Sequence, residues 1–65
     1  MVNNSTLSPR LMDAKNASRY LAISERKLWD LSHKKIIPTV RLGRAVRYDQ
    51  QDLDSYILRS KGEQP

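Results

Sequence analysis

The chain has no cysteine and no phenylalanine, and only two glycines and one histidine among its 65 residues. Without cysteine, neither a disulfide bond nor a thiolate zinc site can reinforce so small a fold. A zinc site built from His33 and carboxylates alone would be unusual, so we predict no metal and no other cofactor. Because 65 residues is near the lower limit for a self-supporting core, we expect that core to be compact and aliphatic.

Two further absences narrow the functional classes. No apolar run approaches the roughly 20 residues of a transmembrane helix. The N-terminal MVNNSTLSPR also lacks the apolar segment of a signal peptide, so we expect a cytoplasmic protein. There is no Ser/His/Asp set, no glycine-rich loop followed by Lys-Ser/Thr and no carboxylate pair suited to a cleft. We therefore predict that the protein is not an enzyme.

Positive charge is what the chain has in excess. Lysine and arginine number 12 against 7 acidic residues, which gives a net charge of +5. This imbalance indicates an anionic partner, with nucleic acid as the first candidate and a membrane surface as the second.

Two short helices are predicted in the first half of the chain. Asp13 can cap the first helix, on which Ala17 and Leu21 share a face. Ser24 can cap the second, over residues 24–34. The short turn between them gives a helix-turn-helix outline.

The second helix separates an apolar face from a polar one. At about 100° per residue, Leu28 and Leu31 point to the core, and Lys35 closes that face. The opposite face carries an aromatic ring among hydrogen-bonding groups: Arg26, Trp29, Asp30 and His33, with Lys27 and Lys34 on one flank. This composition differs from the plain Glu/Lys surface of a solvated helix.

The stretch TVRLGRAVRY, residues 39–48, predicts a β-hairpin that turns at Gly43, because glycine is free to take a positive φ. A two-residue loop, Gly43-Arg44, would place Arg41 opposite Val46. Both faces of the hairpin would then mix polar and apolar side chains, which a half-buried hairpin should avoid.

A three-residue loop gives a cleaner hairpin, and we favour it although such loops prefer glycine at their last position. It places Arg41 opposite Arg47 and Arg44 at the tip. The apolar side chains then share the other face: Val40, Leu42, Val46 and Tyr48. Two arginines directly opposite each other repel unless an anion lies between them, so this register suggests a phosphate-binding wing.

A third helix follows the hairpin. Asp49 can cap it, and apolar residues recur at i, i+3 and i+4 from Leu53. These elements predict one domain over residues 11–59, with flexible polar tails at 1–10 and 60–65.

Four sequence blocks carry a resemblance to a known family. They are LMDAKNASRYLAIS followed by ERKLWDL, then IIPTVRLGRAVRY and DLDSYI, within residues 11–58. In this order they resemble the excisionase/AlpA-type branch of the MerR-like winged helix-turn-helix DNA-binding domains. Ala22 and Lys35 depart from the family pattern, because relatives usually carry glycine in the turn and at the end of the second helix.

The resemblance implies a mainly α fold with a small β-hairpin (α+β), in the order helix, helix, β-hairpin, helix. It implies sequence-specific binding of double-stranded DNA, with helix 24–34 in the major groove and wing 39–48 on the minor groove or backbone. The role would be that of an excisionase-like recombination directionality factor, a small transcriptional regulator or the DNA-binding part of a packaging protein. The source would be a bacterium or phage.

Further expectations concern partners. The protein would be a monomer in solution, cooperative on repeated DNA sites and associated with the nucleoid when bound. Its protein partner would be an integrase or recombinase, or RNA polymerase, and no membrane would be involved.

The expected DNA-binding residues are Ser24, Arg26, Lys27, Trp29, Asp30, His33 and Lys34 on the helix, and Arg41, Arg44 and Arg47 on the wing. Several have a plainer interpretation. Asp30 could pair with Arg26 or Lys34 on its own helix, and Trp29 could form a wall of the core. His33 could be a surface histidine, and the wing arginines could be a solubilising sheet edge.

A different class of function stays open at this point. In it the protein is a protein–protein interaction module, with an apolar patch around Trp29 and the C-terminal helix, and its charge is incidental. Binding to duplex DNA that weakens with salt distinguishes the first class from the second.

Overall fold

A computed structural model describes residues 10–62, which form three helices and a three-stranded antiparallel sheet. In chain order the elements are β1 (Leu11–Met12), α1 (Ala14–Leu21), α2 (Glu25–His33), β2 (Val40–Leu42), β3 (Ala45–Asp49) and α3 (Gln50–Gly62). The predicted α+β fold and its order of helix, helix, β-hairpin, helix are confirmed. The strand β1 was not predicted and precedes them.

The unpredicted strand joins the start of the domain to the hairpin. The sheet order is β1-β3-β2, with Leu11 paired to Asp49 and Met12 to Tyr48. Arg10 extends this contact, because its carbonyl accepts from the Gln50 N–H at 2.9 Å. The β3 strand is therefore central, and the first described residues are fixed to the start of α3.

The tails predicted at 1–10 and 60–65 fall largely outside the described residues. Of their described members, Arg10 forms an ion pair with Asp49 at 2.9 Å, and residues 60–62 continue α3.

Both helices of the helix-turn-helix begin at the predicted caps. The Asp13 carboxylate accepts from the Asn16 N–H at 2.9 Å, and the Ser24 hydroxyl accepts from the Lys27 N–H at 3.0 Å. Each cap satisfies a first-turn amide that has no partner within its own helix. These caps fix where α1 and α2 start and therefore which side chains each helix turns inward.

The same two helices end in the same way. Ala22 follows α1 at φ 58°, and Lys35 lies just beyond α2 at φ 63°. In both cases this residue's N–H donates to the carbonyl three residues back, and the next N–H donates to the carbonyl five back, which is the Schellman arrangement. Lys35 is exposed and outside the helix, so the prediction that it closes the apolar face is wrong.

Each of the three helices contributes to a single core. Its buried hydrophobic residues are Ala17, Leu28, Leu31, Ile37, Tyr48 and Leu53. The inward faces predicted for α1 and α2 are confirmed, and the first apolar residue of the predicted third helix is fully buried. The core fixes the orientation of α2, since its two leucines must face inward.

The hairpin has the register that the side-chain pattern disfavoured. Arg41 pairs with Val46 and Val40 with Arg47, so the loop has two residues, Gly43-Arg44. The predicted three-residue loop, with Arg41 opposite Arg47, is wrong.

Turn geometry explains the register. Gly43 has φ +64°, and Arg44 is not among the described residues with positive φ. This is the sign pattern of a type II′ turn, which takes glycine first and matches the twist of the flanking strands. With glycine in that position, the turn outweighs the sorting of side chains.

The corrected register changes both faces of the hairpin. Arg41 and Arg47 lie on opposite faces of the sheet, because side chains alternate along each strand. The predicted apolar face does not form either: Leu42 is 53% exposed, and only Tyr48 of the four predicted apolar residues is buried.

Candidate nucleic-acid interface

The outward face of α2 is set by its inward one. Because Leu28 and Leu31 are buried, the side chains of Arg26, Trp29 and His33 are exposed on the other side. Trp29 is 50% exposed, so it does not form the wall of the core that was its plainer interpretation.

Three side chains on this face stack along the helix, and we call them the α2 ladder: Arg26, Trp29 and His33. The Trp29 and His33 ring centroids are 3.6 Å apart at an interplanar angle of 28°. The Arg26 Cζ lies 5.5 Å from the centre of the Trp29 ring, within the range of a cation–π contact. The ladder therefore holds an exposed arginine against an aromatic surface.

Asp30 forms the intrahelical pair that was its plainer interpretation. Its Oδ1 lies 3.7 Å from the Arg26 Nε, one turn apart on α2. An exposed pair of this kind stabilises a helix by about 0.2–0.5 kcal/mol, so it orients Arg26 without locking it. Arg26 thus lies between a ring and a carboxylate.

The remaining predicted residues of α2 lie at its ends and flanks. The Ser24 hydroxyl is occupied as the helix cap. Lys27 and Lys34 are exposed, and neither pairs with a carboxylate within residues 10–62. Their charges are therefore available to an anion.

A cleft of about 440 Å³ separates α2 from the hairpin. We call it the helix–wing cleft, and its lining residues are Ala14, Trp29, Ser32, His33, Lys35, Thr39, Arg41, Val46 and Tyr48. Two of these are cationic, and none of the described residues that line it is acidic. The hairpin register is what turns Arg41 towards this cleft, on the same sheet face as Val46 and Tyr48.

The three wing arginines, evenly spaced in sequence, go to three different places. Arg41 lines the helix–wing cleft, and Arg44 is exposed in the turn. Arg47 is half-buried on the other sheet face and borders a separate depression with Asn16 and Tyr20. The structure therefore brings Arg41 next to the α2 ladder and separates Arg47 from it.

Sequence reasoning missed part of the cleft: Ser32, Thr39 and above all Tyr48, which was assigned only to the apolar face. Lys35 is also a candidate phosphate contact from the sequence. Tyr48 is buried, but its hydroxyl makes no hydrogen bond within residues 10–62. No fully buried side-chain oxygen or nitrogen in that range lacks a partner, so this hydroxyl is at least partly accessible to solvent. The two-residue register would have grouped Thr39, Arg41, Val46 and Tyr48.

The apolar patch of the alternative function does not form as expected. Leu53 is fully buried, and the groove beside α3 is lined by Leu21, Ile23, Tyr56 and other residues without Trp29. Trp29 and the C-terminal helix therefore present separate surfaces.

The described part of the chain contains neither a metal-binding cluster nor a membrane-spanning helix. Within residues 10–62, no group of three or more His, Cys, Asp or Glu side chains is placed to hold a metal ion. No helix of this range is both long and apolar enough to cross a membrane.

Comparison with known proteins adds one finding. A family model described as a helix-turn-helix domain matches residues 11–61. The match begins at β1 and ends within α3, so it covers both helices of the turn and the hairpin. Neither the curated proteins nor the solved structures give a match.

Proposed function

We propose, from the premise that the chain belongs to the helix-turn-helix domain family of excisionase/AlpA type, that it binds double-stranded DNA sequence-specifically through α2 and the hairpin wing. Helix-turn-helix domains bind DNA with the second helix as the reading helix. The family is typically non-enzymatic.

The exposed face of α2 is the observation that carries the proposal. It places the α2 ladder outward from a helix whose opposite side is anchored by Leu28 and Leu31. A helix is the size of element that a major groove about 12 Å wide admits. Side chains near the N-terminus of a reading helix usually reach the base edges, and Arg26 occupies that position.

Each residue of this face has a chemically defined role in the proposal. Arg26 would donate two hydrogen bonds to guanine, and Asp30 would accept from a cytosine amino group. The Trp29 ring has neighbours at i−3 and i+4, and its edge and indole N–H would meet sugar or phosphate. Lys27, His33 and Lys34 would contact phosphates, and Ser24 would lie at the groove edge.

The wing would contribute through two of its three arginines. Arg44, exposed in the turn, would enter the adjacent minor groove, and Arg41, which lines the helix–wing cleft, would contact the backbone. Arg47 was expected to contact DNA as well. Its position on the far sheet face leads us to place it outside the interface.

The complex would act through DNA architecture or by recruiting a partner. An excisionase-like factor would bend its site and direct an integrase or recombinase, whereas a small regulator would position RNA polymerase. A monomer in solution that binds repeated sites suits both roles. Gel mobility of a duplex whose bound site is moved along its length would separate them, since only bending changes mobility with position.

Fluorescence anisotropy with a labelled duplex at several salt concentrations tests the DNA-binding proposal. Log K should fall with log salt at a slope of about −0.9 per neutralised phosphate. Arg44→Ala should weaken all sequences alike and flatten the slope, whereas Arg26→Ala should relax discrimination at one base pair. The absence of binding to genomic fragments at low salt would refute the proposal.

A further inference from the structure

The helix–wing cleft lies between the two elements that the proposed function assigns to adjacent grooves of the duplex. In B-DNA a sugar–phosphate backbone separates the major groove from the minor groove. A molecule with α2 in one groove and the wing in the next must therefore have that backbone across the cleft. This inference rests on the proposed function and makes it more specific.

We propose that the helix–wing cleft is a phosphodiester-binding site. Arg41 and Lys35 supply its positive charge, and the Tyr48 hydroxyl donates a hydrogen bond to a phosphate oxygen. The cleft is an open depression of about 440 Å³ between α2 and the hairpin, within the range of roughly 300–1,000 Å³ that is usual for ligand sites.

The charges of the cleft are free to bind an anion. Within residues 10–62, neither Lys35 nor Arg41 forms an ion pair, and no carboxylate lines the cleft. By contrast, Arg10 and Arg26 each have an acidic partner. Unpaired cations on both sides of a concave surface concentrate positive potential inside it.

Tyr48 gives the site a fixed hydrogen-bond donor. Its ring belongs to the core, so the position of the hydroxyl is determined by packing and not by a flexible side chain. The hydroxyl is not fully buried and has no hydrogen-bond partner among the described residues. Tyr48 lines both the helix–wing cleft and a neighbouring depression that contains Glu25 and Arg26. A phosphate oxygen in the cleft would supply the acceptor that the fold does not.

Arg47 provides a matched control for Arg41. The two residues have the same side chain, lie on adjacent strands of one hairpin and point to opposite faces of the sheet. Only Arg41 lines the cleft. Neutralising one or the other removes the same charge from the protein, so net charge alone predicts equal effects.

The test measures anisotropy of a labelled 20-base-pair duplex against salt for wild type, Arg41→Gln, Arg47→Gln and Lys35→Gln. We expect Arg41→Gln to bind about tenfold more weakly, as for the loss of one charge-assisted hydrogen bond. Its slope of log K against log salt concentration should be less steep by about 0.9, because one fewer phosphate is neutralised. Lys35→Gln should lose a similar part of the slope, and Arg47→Gln should retain it.

Tyr48→Phe tests the neutral donor separately. Its affinity should fall a few-fold with the slope unchanged, because no charge is lost, and a thermal melt should show that the core remains folded. If the protein binds the duplex but Arg41→Gln and Arg47→Gln have equal slopes, the cleft is not a phosphodiester-binding site. The proposed function would be unaffected by that result. A wild-type protein that binds no duplex would overturn the proposed function, and the cleft assignment with it.

Discussion

At the scale of single residues, Ala22 and Lys35 are the two described non-glycine positions with left-handed backbone. Each ends a helix of the helix-turn-helix through the same pair of hydrogen bonds. Glycine adopts this conformation without the clash between Cβ and backbone that other residues meet. The fold therefore keeps the Schellman geometry at some cost in stability at both places.

Glycine at either position should stabilise the protein. We expect Lys35→Gly and Ala22→Gly each to raise the free energy of unfolding by about 1 kcal/mol, or Tm by roughly 4–8 °C for a domain of this size. Thermal and denaturant melts measure the effect.

The same pair of variants separates stability from binding. Lys35→Gly should bind duplex DNA more weakly than wild type although it is more stable, whereas Ala22→Gly should bind as wild type. A loss of stability in both variants would contradict the strain argument.

Arg10 and Asp49 form the other notable contact between single residues. The Arg10 Nε and Nη2 lie 3.0 and 2.9 Å from the two carboxylate oxygens of Asp49, whose Oδ1 also accepts from the Gln51 N–H. Asp49 therefore caps α3, as the sequence predicts. The hydrogen bonds from Arg10, and then the one from Gln51, lower the pKa of Asp49 below its ordinary value.

This shift makes stability depend on pH in the acid range. Because the pKa of Asp49 is lower in the folded protein, the contact stabilises fully above the unfolded value of about 3.9. The contribution is lost as pH falls through that value and then through the folded pKa. We expect Tm to fall over this window, and Asp49→Asn to lower Tm at pH 7 and reduce the fall.

A matched control is available on the same helix turn. Asp52→Asn removes the same charge but no hydrogen bond to Arg10, so it should retain most of the acid-dependent loss. Identical pH profiles for wild type and Asp49→Asn would show that the Arg10 contact does not act in solution.

At the scale of elements, local signals sufficed for the helices and failed for the sheet. The caps Asp13 and Ser24 and the spacing of Leu28 and Leu31 are local features, and the structure has them as predicted. The two-residue strand β1 has no pattern of its own. Its position depends on pairing with β3, more than 35 residues away.

The hairpin shows a conflict between two local rules. Sorting of apolar side chains favours a three-residue loop, whereas glycine in the first loop position favours a type II′ turn of two residues. The turn prevails, because the sheet is short and Leu42 can remain exposed. The register also determines the composition of the candidate site, because it places Arg41 and not Arg47 on the side of the sheet that faces α2.

A charge placed opposite Arg41 tests this register. In the observed pairing Val46→Glu puts a carboxylate directly across from Arg41. It should therefore be more stable than the neutral Val46→Gln by about 0.2–1 kcal/mol, and 1 M salt should remove the difference. With the three-residue loop the opposite residue would be Leu42, and the two variants would melt alike.

At the scale of the whole molecule, core and interface share one helix. The buried side of α2 supplies Leu28 and Leu31 to the core, while its other side carries the α2 ladder. α3 packs against the core through the buried Leu53, while Leu58 near its C-terminal end is exposed. Cationic side chains without an acidic partner among residues 10–62 include Lys27 and Lys34 on α2, Lys35 just after it, and the wing arginines.

An NMR titration of the ¹⁵N-labelled protein with a DNA duplex at low salt tests the central claim most directly. The account predicts that amide shifts concentrate on the outward residues of α2, on Lys35, and on β2 and the Gly43-Arg44 turn. The groove of Leu21, Ile23 and Tyr56 should remain unchanged. Shifts confined to that groove, or no shifts at all, would contradict the account.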